Sequence, residues 1–323
     1  MNVLLLLTFL IHTTECNMEN RVITSLKYSI YRVKPVVVNG EPATNDRVPY
    51  LVSIKQPSGR IGTDIFWTNM CGGSIVGEQK VLTAAHCFEG NSFYYVYNAH
   101  QLRVVAGSQN SNLQHSGATD TTPDLQVRKI TKAILNRGFH FPTHDIAIVF
   151  VDVPWNFTDT VNFIIPAKKT TDYPYTCISA GYGRIGHDTW SLESDVLLIA
   201  SIRVLSRWRC STLWQMNMNT FVCSDSAITD VARGDSGGPL ACYDTMDPEE
   251  VPGKDLLVGI VSGKNFDKTT LFTRVSEYRD WIDSNFGYRL SPTFSILFTI
   301  ISMVLIYLLF LLCNQLLPKV GTT

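Results

Sequence analysis

A chain of 323 residues with 45% hydrophobic content is long enough for one large domain or two ordinary ones, with a sizeable core. Its formal charge of −1, a charged fraction of 17% and the lack of any long basic run argue against a nucleic-acid partner.

Residues 1–16 read as a secretory signal peptide. Apolar runs over 3–7 and 9–11 are together too short to span a bilayer and give way to the polar His12-Thr13-Thr14-Glu15. Residues 17–36 are polar and mixed, without glycine and with the single proline Pro35, and read as a propeptide. The body carries short β-branched and aromatic runs at 50–55, 80–83, 101–106, 126–135 and 146–151. After Pro154 a second series follows, at 175–179, 196–205, 221–223, 256–262 and 270–275. Many short strands with turn signals between them predict a sandwich or a barrel, and the pattern does not choose. One globular helix is predicted over 275–286, with Val275, Tyr278, Trp281 and Ile282 on one side. Two stretches read as long loops: 56–70, and 88–100 with its aromatics Phe93, Tyr94, Tyr95 and Tyr97. Asn156-Phe157-Thr158 is a glycosylation sequon.

Residues 294–313 carry no charge and, as a helix, would reach about 30 Å, one hydrocarbon thickness. They read as a transmembrane helix with 314–323 as a short cytoplasmic tail. The alternative is a glycolipid-anchor signal. It is disfavoured because the chain continues past the apolar run to Lys319, and because 285–288 lacks consecutive small residues.

Chemistry concentrates at Ala232-Arg233-Gly234-Asp235-Ser236-Gly237-Gly238-Pro239-Leu240. Glycines around a serine let the main chain approach a substrate carbonyl with no Cβ in the way. Gly234-x-Ser236-x-Gly238 also fits the nucleophile elbow of α/β-hydrolases, which needs a histidine after the serine. The last histidine is His187, which excludes that arrangement and with it an esterase of that type. Upstream stand Leu82-Thr83-Ala84-Ala85-His86-Cys87 and His144-Asp145-Ile146-Ala147-Ile148-Val149, so the order is His, Asp, Ser. Asp145 opens an apolar strand, where a carboxylate without a partner would be costly. His144 and the five other histidines lack comparable context and are expected on the surface.

At these residues the chain resembles the chymotrypsin/trypsin family of serine proteases, over about 37–286. The resemblance implies two six-stranded antiparallel β-barrels, about 37–154 and 155–286, with a cleft between them and a C-terminal helix. It implies a serine endopeptidase: Asp145 orients His86, His86 takes the proton of Ser236, and the N–H groups of Gly234 and Ser236 form the oxyanion hole. No cofactor is expected. A metal site is not expected either, since there is no C-x-x-C and no H-E-x-x-H. The expected partners are a protein or peptide substrate and a membrane, with the catalytic domain outside the cell.

Six cysteines of the body allow fifteen pairings, and sequence alone selects none. The resemblance implies Cys71–Cys87, Cys177–Cys242 and Cys210–Cys223. It also places Val37 at the mature N-terminus, its new ammonium pairing with Asp235. Val36 precedes it where the family has Arg or Lys, which leaves the cut unexplained. Asp230 stands at the base of the specificity pocket and would pair with an Arg or Lys side chain of the substrate. The pocket departs from the family elsewhere: Gly263 replaces the tryptophan after the cleft serine Ser262, and Thr270 replaces a glycine. The family's pocket disulfide is absent. The alternative reading is a catalytically silent, zymogen-like homologue, tethered and acting as an interaction module.

Overall fold

Short β-branched runs cannot bury themselves singly, and here they pair into two largely antiparallel sheets. The computed structural model describes residues 24–25, 40–62, 64–110, 124–173, 176–183, 194–225, 231, 234–265 and 269–285. The chain forms two compact units, Met1–Arg279 and Asp280–Thr323.

In chain order, β1 (Thr24–Ser25) and β2 (Glu41–Pro42) precede β3 (Leu51–Ile61), β4 (Asp64–Gly77) and β5 (Lys80–Thr83). A helix, α1 (Gly90–Tyr97), leads to β6 (Arg103–Ala106), β7 (Gln126–Leu135) and β8 (Ala147–Val151). Strands β3-β4-β5-β8-β7-β6 close into a six-stranded barrel. Its interior is apolar, with Ile54, Ile75, Val81, Leu82, Val104, Ile130 and Ile148 buried.

The stretch 56–70, expected as a loop, is an extension of the β3–β4 hairpin. Gln56 faces Thr68, Pro57 faces Trp67 and Arg60 faces Ile65, with register shifts on either side of Gln56–Pro57. β6 pairs β3 only as far as Lys55, so Pro57 sits on a two-stranded ribbon where its missing N–H deprives no second neighbour. The polar and Pro-Gly character of 56–60 hid the strand. Similarly, 88–100 is not a loop but α1 followed by the 3-10 turn Ala99–Gln101.

The second half contributes β9 (Ile165–Pro166), β10 (Thr176–Gly181), β11 (Leu198–Arg203), the helix α2 (Arg207–Trp214), β12 (Phe221–Cys223), β13 (Pro239–Cys242), β14 (Leu256–Asn265) and β15 (Thr269–Arg274). They form a sheet in the order β12-β15-β14-β13-β10-β11-β2 over a core that includes Ile202, Leu240, Val258 and Phe272. This sheet is not a closed barrel, contrary to the expectation of two. The chain leaving β11 and the chain leaving β12 meet at one isolated bridge, Val204–Ser224, with Leu205 N–H donating to Cys223 C=O at 2.9 Å. The reason is local. Directly after Leu205 the chain turns into α2, whose cap Ser206 accepts the Arg209 N–H on its hydroxyl, so no ladder continues.

Disulfides join Cys71–Cys87, Cys177–Cys242 and Cys210–Cys223. On the chain-entropy model the two short loops stabilise by about 3 kcal/mol each and the long one by about 4. The segment expected as one helix over 275–286 splits. Val275–Tyr278 is a 3-10 turn, and the α-helix α3 is confined to Arg279–Ser284. Arg274 at its start provides no side-chain cap. Its guanidinium is committed to the carbonyls of Phe221 and Thr171. Residues 294–313 lie outside the described residues; among those described, no helix is long and apolar enough to cross a membrane.

Candidate active site

β5 ends at Thr83, and the chain coils into the 3-10 turn Ala85–Phe88, which carries His86; the Cys71–Cys87 disulfide pins this turn to β4. Asp145 sits just ahead of β8, fully buried. The two meet twice: His86 N–H donates to Oδ1 at 2.8 Å, and His86 Nδ1 lies 2.7 Å from Oδ2. From the second sheet, Ser262 on β14 donates its hydroxyl to the same Oδ2 at 2.5 Å. Three donors therefore meet one desolvated carboxylate, the condition under which burying that charge is tolerable. An acceptor at Nδ1 holds the Nδ1–H tautomer and leaves Nε2 as the free base. The Thr273 hydroxyl donates to the Asp145 carbonyl at 2.8 Å, fixing the backbone as well.

Ser236 lies on the turn before β13, only 3% exposed. Gly72 N–H donates to its carbonyl at 2.7 Å, tying the serine turn to the barrel. Gly237 adopts φ +80°, and a Cβ there would lie 2.1 Å from Thr83 Oγ1 and 3.1 Å from Ala84 N. Only glycine lets this turn press against the residues leading to His86. Both His86 Nε2 and Ser236 Oγ are buried without a hydrogen-bond partner. Such atoms are uncommon in folded proteins, and these two sit on abutting turns.

Gly234 takes φ +103°, and its carbonyl accepts from Asn69 Nδ2 at 3.1 Å, while Asn69 Oδ1 accepts from the Ser53 hydroxyl at 2.6 Å. This chain of bonds from β3 through β4 fixes the plane of the peptide that follows Gly234. Asp235, 1% exposed, accepts Gly183 N–H at 2.9 Å. A Cβ at Gly181 would lie 2.1 Å from its Oδ1, and one at Gly183 would lie 2.4 Å from its Oδ2. The carboxylate thus fills space that two glycines leave.

Of the residues singled out from sequence, His86, Asp145, Ser236, Ser262 and Gly234 come together at the junction of barrel and sheet. Gly263 follows Ser262 on β14, and Thr270, fully buried on β15, pairs with Lys264. Asp230 and Val37 lie outside the described residues. His144 corrects the surface expectation. It is half-buried with φ +55°, and its Nδ1 stands 3.1 Å from the Tyr278 hydroxyl. Burial is the main cause that pushes the Tyr278 hydroxyl up to about 12. Phe141 packs edge-on against His86 at 5.7 Å, and Phe93 of α1 packs edge-on against Phe139 at 6.4 Å. Cys71 and Cys87 are within metal-ligating distance of His86, but their sulfurs are spent in the disulfide.

Asn69, Ser53, Gly181 and Gly183 were not found from sequence. Gly181-Tyr182-Gly183 was the one available signal, a glycine pair around an aromatic at the end of a strand.

The family model described as Trypsin matches residues 37–282. The chain belongs to the trypsin family. The match starts at Val37, covers the barrel and the open sheet, and includes every residue of the junction described above. A trypsin-like serine protease acts on protein or peptide, and the three disulfides lie within the matched span.

Proposed function

We propose that this protein is a serine endopeptidase in which Ser236 is the nucleophile, His86 the general base and Asp145 the group that orients the base. The carrying observation is the pair of buried atoms without partners, His86 Nε2 and Ser236 Oγ, beside an imidazole whose other nitrogen faces Asp145. Ser236 Oγ attacks the substrate carbonyl carbon while its proton passes to Nε2. The imidazolium, stabilised by Asp145, then gives that proton to the leaving amine. Water repeats the sequence on the acyl-enzyme. The N–H groups of Gly234 and Ser236 receive the oxyanion.

The finer assignments belong to the same proposal. Asp230 selects Arg or Lys before the scissile bond, with Ser262, Gly263 and Thr270 lining the approach. Cleavage of Val36–Val37 frees the ammonium that pairs with Asp235 and activates the enzyme. Residues 1–16 direct export, Asn156 carries a glycan, and 294–313 tether the catalytic domain to the outer face of the cell membrane, by a single span or through a glycolipid. Asn156 is exposed on the loop after β8, which supports its modification.

The test is labelling by a fluorophosphonate probe of material whose N-terminus is Val37. Ser236 is expected to be modified, and Ser236→Ala to lose the label and at least about a thousandfold of turnover. Labelling of another serine would overturn the assignment. Silence of correctly cut protein would favour the zymogen-like interaction module.

A further inference from the structure

Strand β1 is the one described piece of the chain ahead of residue 40, and it does not lie near the start of the domain. Thr24 pairs with Lys264 and Ser25 with Gly263, antiparallel, on β14. β14 has two edges. One is taken by β15, where Gly263 faces Leu271 and Lys264 faces Thr270. The other is taken first by β13, from Cys242 opposite Leu256 to Pro239 opposite Ile260. Next, the serine turn itself occupies that edge: Gly237 N–H donates to Val261 C=O at 2.8 Å, and Val261 N–H to Gly238 C=O at 3.0 Å. β1 continues this second edge, directly beyond Ser262.

We propose that the amino-terminal segment around Thr24–Ser25 is a built-in inhibitor, docked as an added strand on the β14 edge that borders Ser236. The proposal rests on the protease reading of this site. Direction supports it. Because the pairing is antiparallel, the step from Thr24 to Ser25 runs along β14 toward Ser262, and a continued register would set position 26 opposite Ser262. Ser262 is bonded to Asp145, so a strand carried on along this edge covers the ground between Ser236 and the histidine pair. Any extended peptide entering the site along β14 would need the same backbone groups of Gly263 and Lys264.

The segment suits the role. Residues 22–31 are Val-Ile-Thr-Ser-Leu-Lys-Tyr-Ser-Ile-Tyr, rich in β-branched and aromatic residues and free of glycine and proline. The tether is adequate too. Ser25 is held on β14 and Glu41 on β11, opposite Ile199. The intervening chain can extend over roughly 50 Å. A covalent connection of this length gives an effective concentration of about a millimolar, enough to keep a weak strand docked.

Two arms test this. The first reads docking alone, on the full-length, uncut protein. Ser25→Cys with Gly263→Cys places two thiols on directly opposed residues, a separation compatible with a disulfide. Mild oxidation should give a 25–263 crosslink, identified by mass, that reduction removes. The second arm reads function on protein cut at Val36–Val37, where the segment is no longer covalently joined. A synthetic peptide of residues 20–31 should inhibit peptide hydrolysis competitively with substrate, and the same peptide carrying Thr24→Pro and Ser25→Pro should inhibit at least tenfold more weakly. Absence of the crosslink, or equal effects of the two peptides on an active cut enzyme, overturns the proposal. A formed crosslink in a protein whose cut form never hydrolyses peptide or takes the probe would sink the protease reading while leaving the docked strand in place.

Discussion

The closed barrel and the open sheet divide the work of the site unequally. The barrel supplies His86 and Asp145, and holds them with bonds that leave neither carboxylate oxygen empty. The sheet supplies Ser236 on a turn held largely by backbone bonds, and it keeps an edge of β14 on which chain can be added. Closure removes edges and therefore suits the part that must not move. An open sheet retains them, which suits the part that must receive an extended peptide.

The barrel side of that comparison is tested hardest by Asp145→Asn. An amide has one acceptor where the carboxylate has two, so the His86 N–H, Nδ1–H and Ser262 hydroxyl cannot all be satisfied. The imidazole then favours the wrong tautomer, and turnover should fall by about ten-thousandfold with folding largely retained. Steady-state kinetics with a thermal melt checks this. A loss below about tenfold would mean that the pair does not orient the base.

On the sheet side, Gly183→Ala should act through space alone. Its Cβ would stand 2.4 Å from the Asp235 carboxylate, with Cγ at 2.5 Å, so the buried carboxylate itself must move. Overpacking of this kind costs about 3 kcal/mol, and it displaces the residue next to Ser236. The expected outcome is a lower urea midpoint together with loss of probe labelling. Retained labelling with lowered stability would separate the two effects and show that the serine turn tolerates movement of Asp235.

The smallest effect concerns the seam. Tyr278, which precedes α3, meets His144, the residue ahead of Asp145, at 3.1 Å. Its hydroxyl is held near 12 chiefly by burial, against an ordinary value of 10.0. Below pH 10 both folded and unfolded forms are neutral and the shift contributes nothing. As pH rises from 10 to 12 the unfolded phenol ionises first, so stability falls, by up to about 2 kcal/mol. Tyr278→Phe should flatten that part of the alkaline decline in urea unfolding. An unchanged slope would assign the decline to the other buried tyrosines, Tyr50, Tyr173 and Tyr182, whose hydroxyls are also raised by burial.

Much of this was legible along the chain. The runs at 80–83, 126–135 and 221–223 are strands with those same bounds. His86 and Asp145, singled out from their flanking residues, are bonded to each other. Local pattern failed where a strand was built from residues that look like a turn. Gln56–Arg60 is strand because Ile65, Phe66 and Trp67 lie opposite it, and Pro239–Cys242 is strand because β10 and β14 flank it.

The sequence by itself determined the order His, Asp, Ser, the glycine turn around Ser236 and the β character of the body, because each is written in adjacent residues. Tertiary structure alone decided what serves those residues. Ser262 reaches Asp145 across 117 positions and Asn69 reaches Gly234 across 165, and two glycines are obligatory only because Asp235 folds against them. It also decided that the second sheet stays open, since strand propensity reports pairing partners only after the chain has brought them together. Contacts over such separations leave no periodicity in a window of ten or twenty residues, and only the packed chain expresses them.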